Sequence, residues 1–451
     1  MTKRIVSFLG AAIAAFLFFS SFEETIERVE ILPVDLPWVF PFVLLLGAIA
    51  AAPLINRHWW EKNFPVVSYS FGAIIVIYYA FFLDNLPRLL LTLYEYSSFI
   101  SLVGSLFVVS GGILLRIRGK ATPFENVVLL GIGAVLSNFL GTTGASMLLI
   151  RPYLRMNKYR IKPYHIVFFI FIVSNIGGAL TPIGDPPLFL GYLKGVPFFW
   201  VVQRVWHIWA LAVGVLLLLF YLFDTLQFRK IEAPVREEAE EPEEARISGK
   251  LNLLFLGVIL TAVFISRPII VREILMWSAA IASYYSTKPS IHKKNEFNFF
   301  PIKEVAILFA GIFATMIPAL DWLELNSRAL GIETPGQYYW GTGILSGFLD
   351  NTPTYLSFLS AAFGLFGLNV DNAAHMTQFL ENHWKYLQSI SVSAVFFGAN
   401  TYIGNAPNFM VKSISEHAKV SCPSFIGYMV KYSIPILIPL FVVVWYLFFR
   451  V

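Results

Sequence analysis

Two aspartates set in apolar surroundings are the residues of this sequence best placed to do chemistry. Asp185 closes the string Thr181-Pro182-Ile183-Gly184-Asp185, and Asp350 opens Asp350-Asn351-Thr352-Pro353. A carboxylate inside an apolar segment is costly unless it holds a cation, a proton or a basic partner, so both are candidate ion-binding groups. The alternative for each is the N-cap of the helix that follows. Near them, Ser137, Asn138, Thr142, Thr143, Asn175, Asn351, Thr352, Asn400, Thr401, Asn405 and Thr181 supply uncharged side-chain oxygens, and Gly184 lets backbone approach closely. Hard oxygen ligands without fixed charge suit sodium, and sodium is expected through Asn138, Asn175, Asn351 and Asn400. Capping of exposed helix ends is the competing role for any one of them. Cys422 is the only cysteine, which excludes an intramolecular disulfide and a thiolate metal cluster. No intrinsic cofactor or metal is expected; His58 with Glu61, His292 with Glu296 and His375 with Asp371 are expected to be solvated surface pairs.

The elements that position these residues are four apolar segments, each broken in the middle: 136–144, 174–187, 345–353 and 398–409. Each unpaired backbone group facing hydrocarbon costs several kcal/mol, so such breaks must line a polar interior. The breaks also repeat. Gly178, Ala179, Thr181, Ile183, Gly184, Pro187 and Phe189 recur 220 residues later as Gly398, Ala399, Thr401, Ile403, Gly404, Pro407 and Phe409, with Asp185 facing Asn405. Leu136, Ser137, Phe139, Leu140 and Thr143 recur 209 residues later as Leu345, Ser346, Phe348, Leu349 and Thr352, with Gly141 facing Asp350.

Of 451 residues, 57% are hydrophobic and only 14% charged, against roughly a quarter charged in a soluble domain. The expected fold is therefore an all-α polytopic membrane protein. Full-length apolar runs are Ile5 to Phe22, Trp38 to Ile55, Pro65 to Leu83, Ser98 to Leu115, Phe199 to Phe223, Leu251 to Ser266, Ile270 to Tyr285, Glu304 to Leu320 and Tyr432 to Phe449. Asn85 to Ser97, with Arg88 and Glu95 among its leucines, suits an interfacial helix. With the first and third breaks as tips of re-entrant hairpins and the other two interrupting true spans, about eleven transmembrane helices result. Most of the 33 basic residues then lie in the cytoplasm, in agreement with the positive-inside rule. The N-terminus is placed in the cytoplasm, the C-terminus outside, and the two halves are inverted repeats in the cell (inner) membrane.

The expected organisation is a first span and outer loop (1–37), repeat 1 (38–226), an acidic cytoplasmic linker (227–250) and repeat 2 (251–451). Hairpins fall at about 123–152 and 336–363, and interrupted helices at about 163–197 and 384–418. Lys194, Arg204 and Glu273 are expected as interfacial anchors, and the tryptophans as an aromatic belt. The net charge of +5 is spread between apolar runs, so the partners expected are the lipid bilayer and a small ion or carboxylate, not nucleic acid.

The doubled pairing of a polar hairpin tip with an interrupted helix resembles the ion transporter superfamily of dicarboxylate, citrate and arsenite carriers and sodium:proton antiporters. The pattern is most similar to its group of citrate transporters and sodium:proton antiporters. Thr181-Pro182-Ile183-Gly184-Asp185-Pro186-Pro187 blends the Thr-Pro-Ile-Gly-Thr-Pro-Pro of carboxylate carriers with the Pro-Ile-Gly-Asp of antiporters. Asp350-Asn351-Thr352-Pro353 is similar to the Asp-Asn-x-Pro hairpin of the antiporter and arsenite branches. The resemblance implies sodium bound between each hairpin tip and its neighbouring break, an elevator-like motion, and a possible homodimer. One departure is that Gly141-Thr142 stands where antiporters usually carry an acid in the first hairpin. The function expected is sodium:proton antiport through the intramembrane aspartates, with transported Na+ and H+. The alternative is sodium-coupled symport of citrate or another small di- or tricarboxylate, and arsenite is a third cargo. An intramembrane aspartyl protease would need Gly-x-Gly-Asp, which Thr181 to Asp185 does not provide, so no enzyme activity is expected.

Overall fold

The computed structural model describes residues 29–116, 121–230, 246–265, 267–268 and 270–450. The apolar run Ile5 to Phe22 and most of the acidic stretch of 227–250 lie outside the described residues.

Apolar periodic runs, opened by proline or capped by threonine and asparagine, fold as helices. In chain order these are α1 (Phe40–Ile55), α2 (Arg57–Ile77), α3 (Leu86–Gly111), α4 (Pro123–Met156), α5 (Pro163–Ile172), α6 (Pro186–Leu193), α7 (Trp200–Phe228), α8 (Leu251–Val263) and α9 (Val271–Ser286). There follow α10 (Phe300–Asn326), α11 (Pro335–Phe348), α12 (Asn351–Leu365), α13 (Ala373–Asn382), α14 (Trp384–Phe397), α15 (Ala406–His417) and α16 (Ile434–Val444). Proline suits a helix start because its missing N–H would have no intrahelical partner there. Thr334 and Gln337 form a capping box at the head of α11, each side chain accepting the other's backbone N–H at 3.3 and 3.0 Å. A short antiparallel ribbon pairs Leu114–Arg116 with Arg246–Ser248.

Seven stretches among the described residues are long and apolar enough to cross a bilayer: Leu36–Pro53, His58–Phe82, Leu86–Gly111, Pro123–Met156, Trp200–Phe228, Phe300–Leu330 and Phe425–Phe449. Apart from the ribbon, the regular structure of the described residues is helical, and the protein is multi-pass. One predicted span is shorter than expected. Leu251 to Ser266 is helical as α8 over 13 residues, about 20 Å at 1.5 Å per residue against a hydrocarbon layer of about 30 Å. The helix α9, with 16 residues, has the length predicted for Ile270 to Tyr285.

The fourth stretch folds back on itself. Asn126 and Asn157 stand 31 residues apart yet exchange side-chain hydrogen bonds of 2.9 and 2.8 Å, whereas a straight helix would hold them roughly 46 Å apart. The reversal falls at Gly141, whose φ of 72° and ψ of 156° are open essentially to glycine alone. This is why glycine, not an acid, occupies the first hairpin's tip. Gly141→Ala should cost about 1–3 kcal/mol and lower the thermal midpoint in detergent; an unchanged midpoint would remove the strain argument. The second hairpin, α11 and α12, turns through Leu349 and Asp350 in extended conformation, which any residue tolerates.

The helices pack as two groups. α1, α2, α3, α8, α9 and α10 form one; the hairpins, the interrupted helices α5–α6 and α14–α15, and α7 form the other. α3 and α10 carry the contact between them, α3 against α4 and α6, and α10 against α12. The expected interfacial helix Asn85 to Ser97 is instead the first half of α3, continuous to Gly111. Its charges need no membrane interface because Arg88 and Glu95 are paired inside the protein. For the same reason Lys194 and Glu273 are not interfacial anchors. Lys194 bonds Glu95 at 2.6 Å, and Glu273 accepts from Ser98 at 2.6 Å and from Arg272 at 2.7 Å. Asp371, expected on the surface with His375, is buried between Arg88 and Lys194. Arg204 does stay exposed, over the Trp384 ring at 4.3 Å.

Candidate functional site

Each interrupted helix is tied to its hairpin by its own threonine. Thr181 donates to the Asn138 carbonyl at 2.6 Å and accepts from Gly184 N–H at 3.1 Å; Thr401 donates to the Gly347 carbonyl at 2.8 Å and accepts from Gly404 N–H at 3.1 Å. Donors and acceptors alike are the pairs that the two sequence offsets match. The serines do the same, Ser137 bonding the Val173 carbonyl at 2.7 Å and Ser346 the Ala394 carbonyl at 2.6 Å. The loops themselves are drawn so tight that a Cβ on Gly404 would lie 2.7 Å from the Gly398 carbonyl oxygen, and one on Gly184 would overlap that of Gly178. In both halves, then, hydroxyls and bare backbone tie a hairpin to its interrupted helix. Thr401→Val keeps the shape and orphans the Gly347 carbonyl, so it should cost about 1–3 kcal/mol, readable as a lower melting temperature; no shift would show that the clasp carries no stability.

The four breaks converge on Asp185. Its side chain is fully buried, and instead of capping α6 it accepts from Thr142 Oγ1 at 2.8 Å, Asn405 Nδ2 at 3.0 Å and Asn351 Nδ2 at 2.5 Å. Thr142 begins the second leg of hairpin 1, Asn351 begins α12, Asn405 is the N-cap of α15 and Asp185 that of α6. Four half-helix N-termini, each carrying a partial positive charge, therefore surround one carboxylate. Asn405 also reaches Asn175 Oδ1 at 3.2 Å, and Asn175 donates to Asn408 Oδ1 at 2.6 Å.

Asp350 stands differently. It is half-buried and caps α12, accepting from Thr352 N–H at 2.9 Å. Thr352 also donates to Asn351 Oδ1 at 3.3 Å. The four asparagines do not share one centre. Asn351 and Asn175 belong to the Asp185 network, whereas Asn138 ties hairpin 1 to its break, donating to the Gly177 carbonyl at 2.7 Å and accepting from Leu180 N–H at 2.9 Å. Asn400 faces the C-terminal helix region, accepting from Ser433 at 3.1 Å. Thr143 lines, with Gly141, Thr142, Pro182, Ile183 and Phe189, a cavity of about 30 Å³, room for about one water molecule.

Asn408 joins the centre unforeseen, though it sits in the repeated string. Sequence reasoning missed two buried charge networks outright. One joins Arg88, Lys194, Glu95, Asp321 and Asp371; the other joins Arg160 to Asp224 in two bonds of 2.6 Å, with Tyr164 donating at 2.6 Å. Asp224 and Asp321 each stand one residue past a predicted span, Phe199 to Phe223 and Glu304 to Leu320, and only the longer helices α7 and α10 take them inside.

Hairpins that clasp interrupted helices around a buried polar centre, within a bundle of apolar helices, define a class: this is a multi-pass membrane transport protein. The chain belongs to the family described as putative citrate transport, whose model matches residues 32–449. Comparison with curated proteins gave no match.

Proposed function

We propose that the protein is a secondary transporter that exchanges sodium for protons, with Asp185 as the carboxylate that alternately holds the two ions. The observation that carries this reading is the set of partners of Asp185 among the described residues, three neutral donors and no cationic side chain. Helix N-termini and amides steady a buried negative charge, but they leave it uncompensated, and a proton or sodium supplies the missing charge. Thr142, Asn351 and Asn405 offer side-chain oxygens within one bond of it, and Asp350 is the second acid. The recurrence of the threonine and serine clasps supports two structural repeats. Opposite entry of the hairpins, argued from loop charge, makes the repeats inverted and the breaks a midplane site. The group carrying the breaks would then move against α3 and α10.

A second reading, sodium-coupled symport of citrate or a similar carboxylate, is favoured by the family match and by the convergent N-termini. Against it, the anion those N-termini would hold is already present as Asp185. Inverted vesicles separate the two. Sodium addition should drive proton movement, without labelled citrate uptake beyond that of empty vesicles. Sodium-dependent citrate uptake with no proton movement would replace the first reading by the second. Cysteine labelling in a Cys422→Ser background should place 151–162 and 371–384 on opposite sides; finding both on one side would remove the inverted topology.

A further inference from the structure

The larger buried charge network bridges the two helix groups. Arg88 and Glu95 on α3, and Asp321 and Glu324 on α10, belong to one group; Lys194 ends α6, and Asp371 lies in the loop after α12, in the other. Three links cross between them. Arg88 donates to Asp371 at 2.6 Å, Lys194 binds Glu95 at 2.6 Å, and Glu324 Oε1 accepts from Val370 N–H at 3.2 Å. Lys194 also binds Asp371, Arg88 binds Asp321 at 2.7 Å, and Tyr79 of the turn after α2 donates to Asp321 at 2.7 Å.

Among the described residues the charges do not balance. Glu95, Asp321 and Asp371 each have a cation partner. Glu324 is 7% exposed, its Oε2 is buried with no hydrogen-bond partner among the described residues, and Asp371, Arg88 and Asp321 are the charged groups around it. Glu95 and Lys194 stand one bond further off, and His375 is occupied with Asn369 N–H at 3.0 Å. With every group ionised, four carboxylates would face two cations in a buried site, and the unpaired one would carry a large desolvation cost.

We propose that Glu324 is the proton-holding member of a latch between the two helix groups, protonated while the latch is closed and ionised when it opens. A proton bound more tightly in the closed arrangement stabilises that arrangement at low pH, and the stabilisation fades as pH rises. The latch is distinct from the Asp185 centre, and it holds whichever ion or carboxylate the protein carries.

The test reads conformation, not transport. Val370 is 1% exposed beneath the latch and Ala373, three residues on, is exposed. In purified full-length Cys422→Ser protein in nanodiscs, maleimide labelling of Val370→Cys is measured relative to Ala373→Cys, which cancels the pH dependence of thiol reactivity. This ratio should rise about fivefold or more from pH 6 to pH 9, as a shift toward the open population requires. Glu324→Gln, which can still accept from Val370 N–H and cannot ionise, should hold the pH 6 ratio throughout. A flat ratio with Glu324 present, or the same rise in the glutamine variant, overturns the proposal. If Val370→Cys does not fold, hydrogen exchange across 366–372 relative to intrinsic rates decides the same question. Protection should fall with pH in the unsubstituted protein and not in Glu324→Gln; equal behaviour of the two overturns it.

Discussion

Asp185→Asn is expected to abolish sodium-driven proton movement while the protein still inserts and folds. The fold should survive because the substitution is nearly isosteric and its surroundings can adapt. An amide nitrogen placed where Asp185 Oδ2 lies would face Asn351 Nδ2, now 2.5 Å away, and rotation of the Asn351 amide would turn its own oxygen toward the new donor. Thr142 and Asn405 would keep their acceptor. What disappears is the charge that either ion must neutralise. Asp350→Asn should be milder, since its carboxylate accepts from Thr352 N–H of its own helix, and an asparagine caps a helix as well as an aspartate. Proton flux in inverted vesicles, read beside the amount of folded protein, distinguishes these outcomes. Full sodium-driven proton movement in the doubly substituted protein would sink the exchange mechanism.

The second large effect is expected on stability. Arg160 and Asp224 meet through two parallel bonds of 2.6 Å, both side chains all but fully buried, and Tyr164 and Asn126 donate to the same carboxylate at 2.6 and 3.2 Å. Asn126 in turn holds the two ends of hairpin 1 together through Asn157. Asp224→Asn leaves a buried guanidinium without a counter-charge, and breaking such a pair costs about 3–5 kcal/mol. The thermal midpoint in detergent should fall accordingly. Adding Arg160→Met to Asp224→Asn should recover a good part of the loss, since removing the second charge ends the uncompensated burial. A double variant no more stable than the single one would mean that the loss comes from the hydrogen bonds of Tyr164 and Asn126, not from charge.

Much of the site could be read from sequence because its determinants are local. Gly141, Gly184, Gly404, Pro182 and Pro186 fall among small polar residues in otherwise apolar segments, so the breaks and their repetition appear as runs of residue types, whereas lone prolines such as Pro53, Pro65 and Pro318 lie inside helices. The matched clasps of Thr181 and Thr401 follow from the same repeated strings. The relative standing of the two aspartates was not legible. Both precede a helix start, and only the packing shows that Asp350 bonds its own helix while Asp185 collects donors from three other breaks. The charged residues outside the breaks were misjudged for a related reason. Lys194 looked like an interfacial anchor and Asp371 like a surface acid, because a lone charge is stable only near water. Whether it has a buried partner depends on α3 and the end of α6 each meeting the loop after α12, across 283 and 177 residues of chain. Hydropathy and helix breaking are properties of neighbouring residues, which the sequence by itself determines; ion pairing and the convergence of four helix ends are properties of distance, which only the tertiary structure decides.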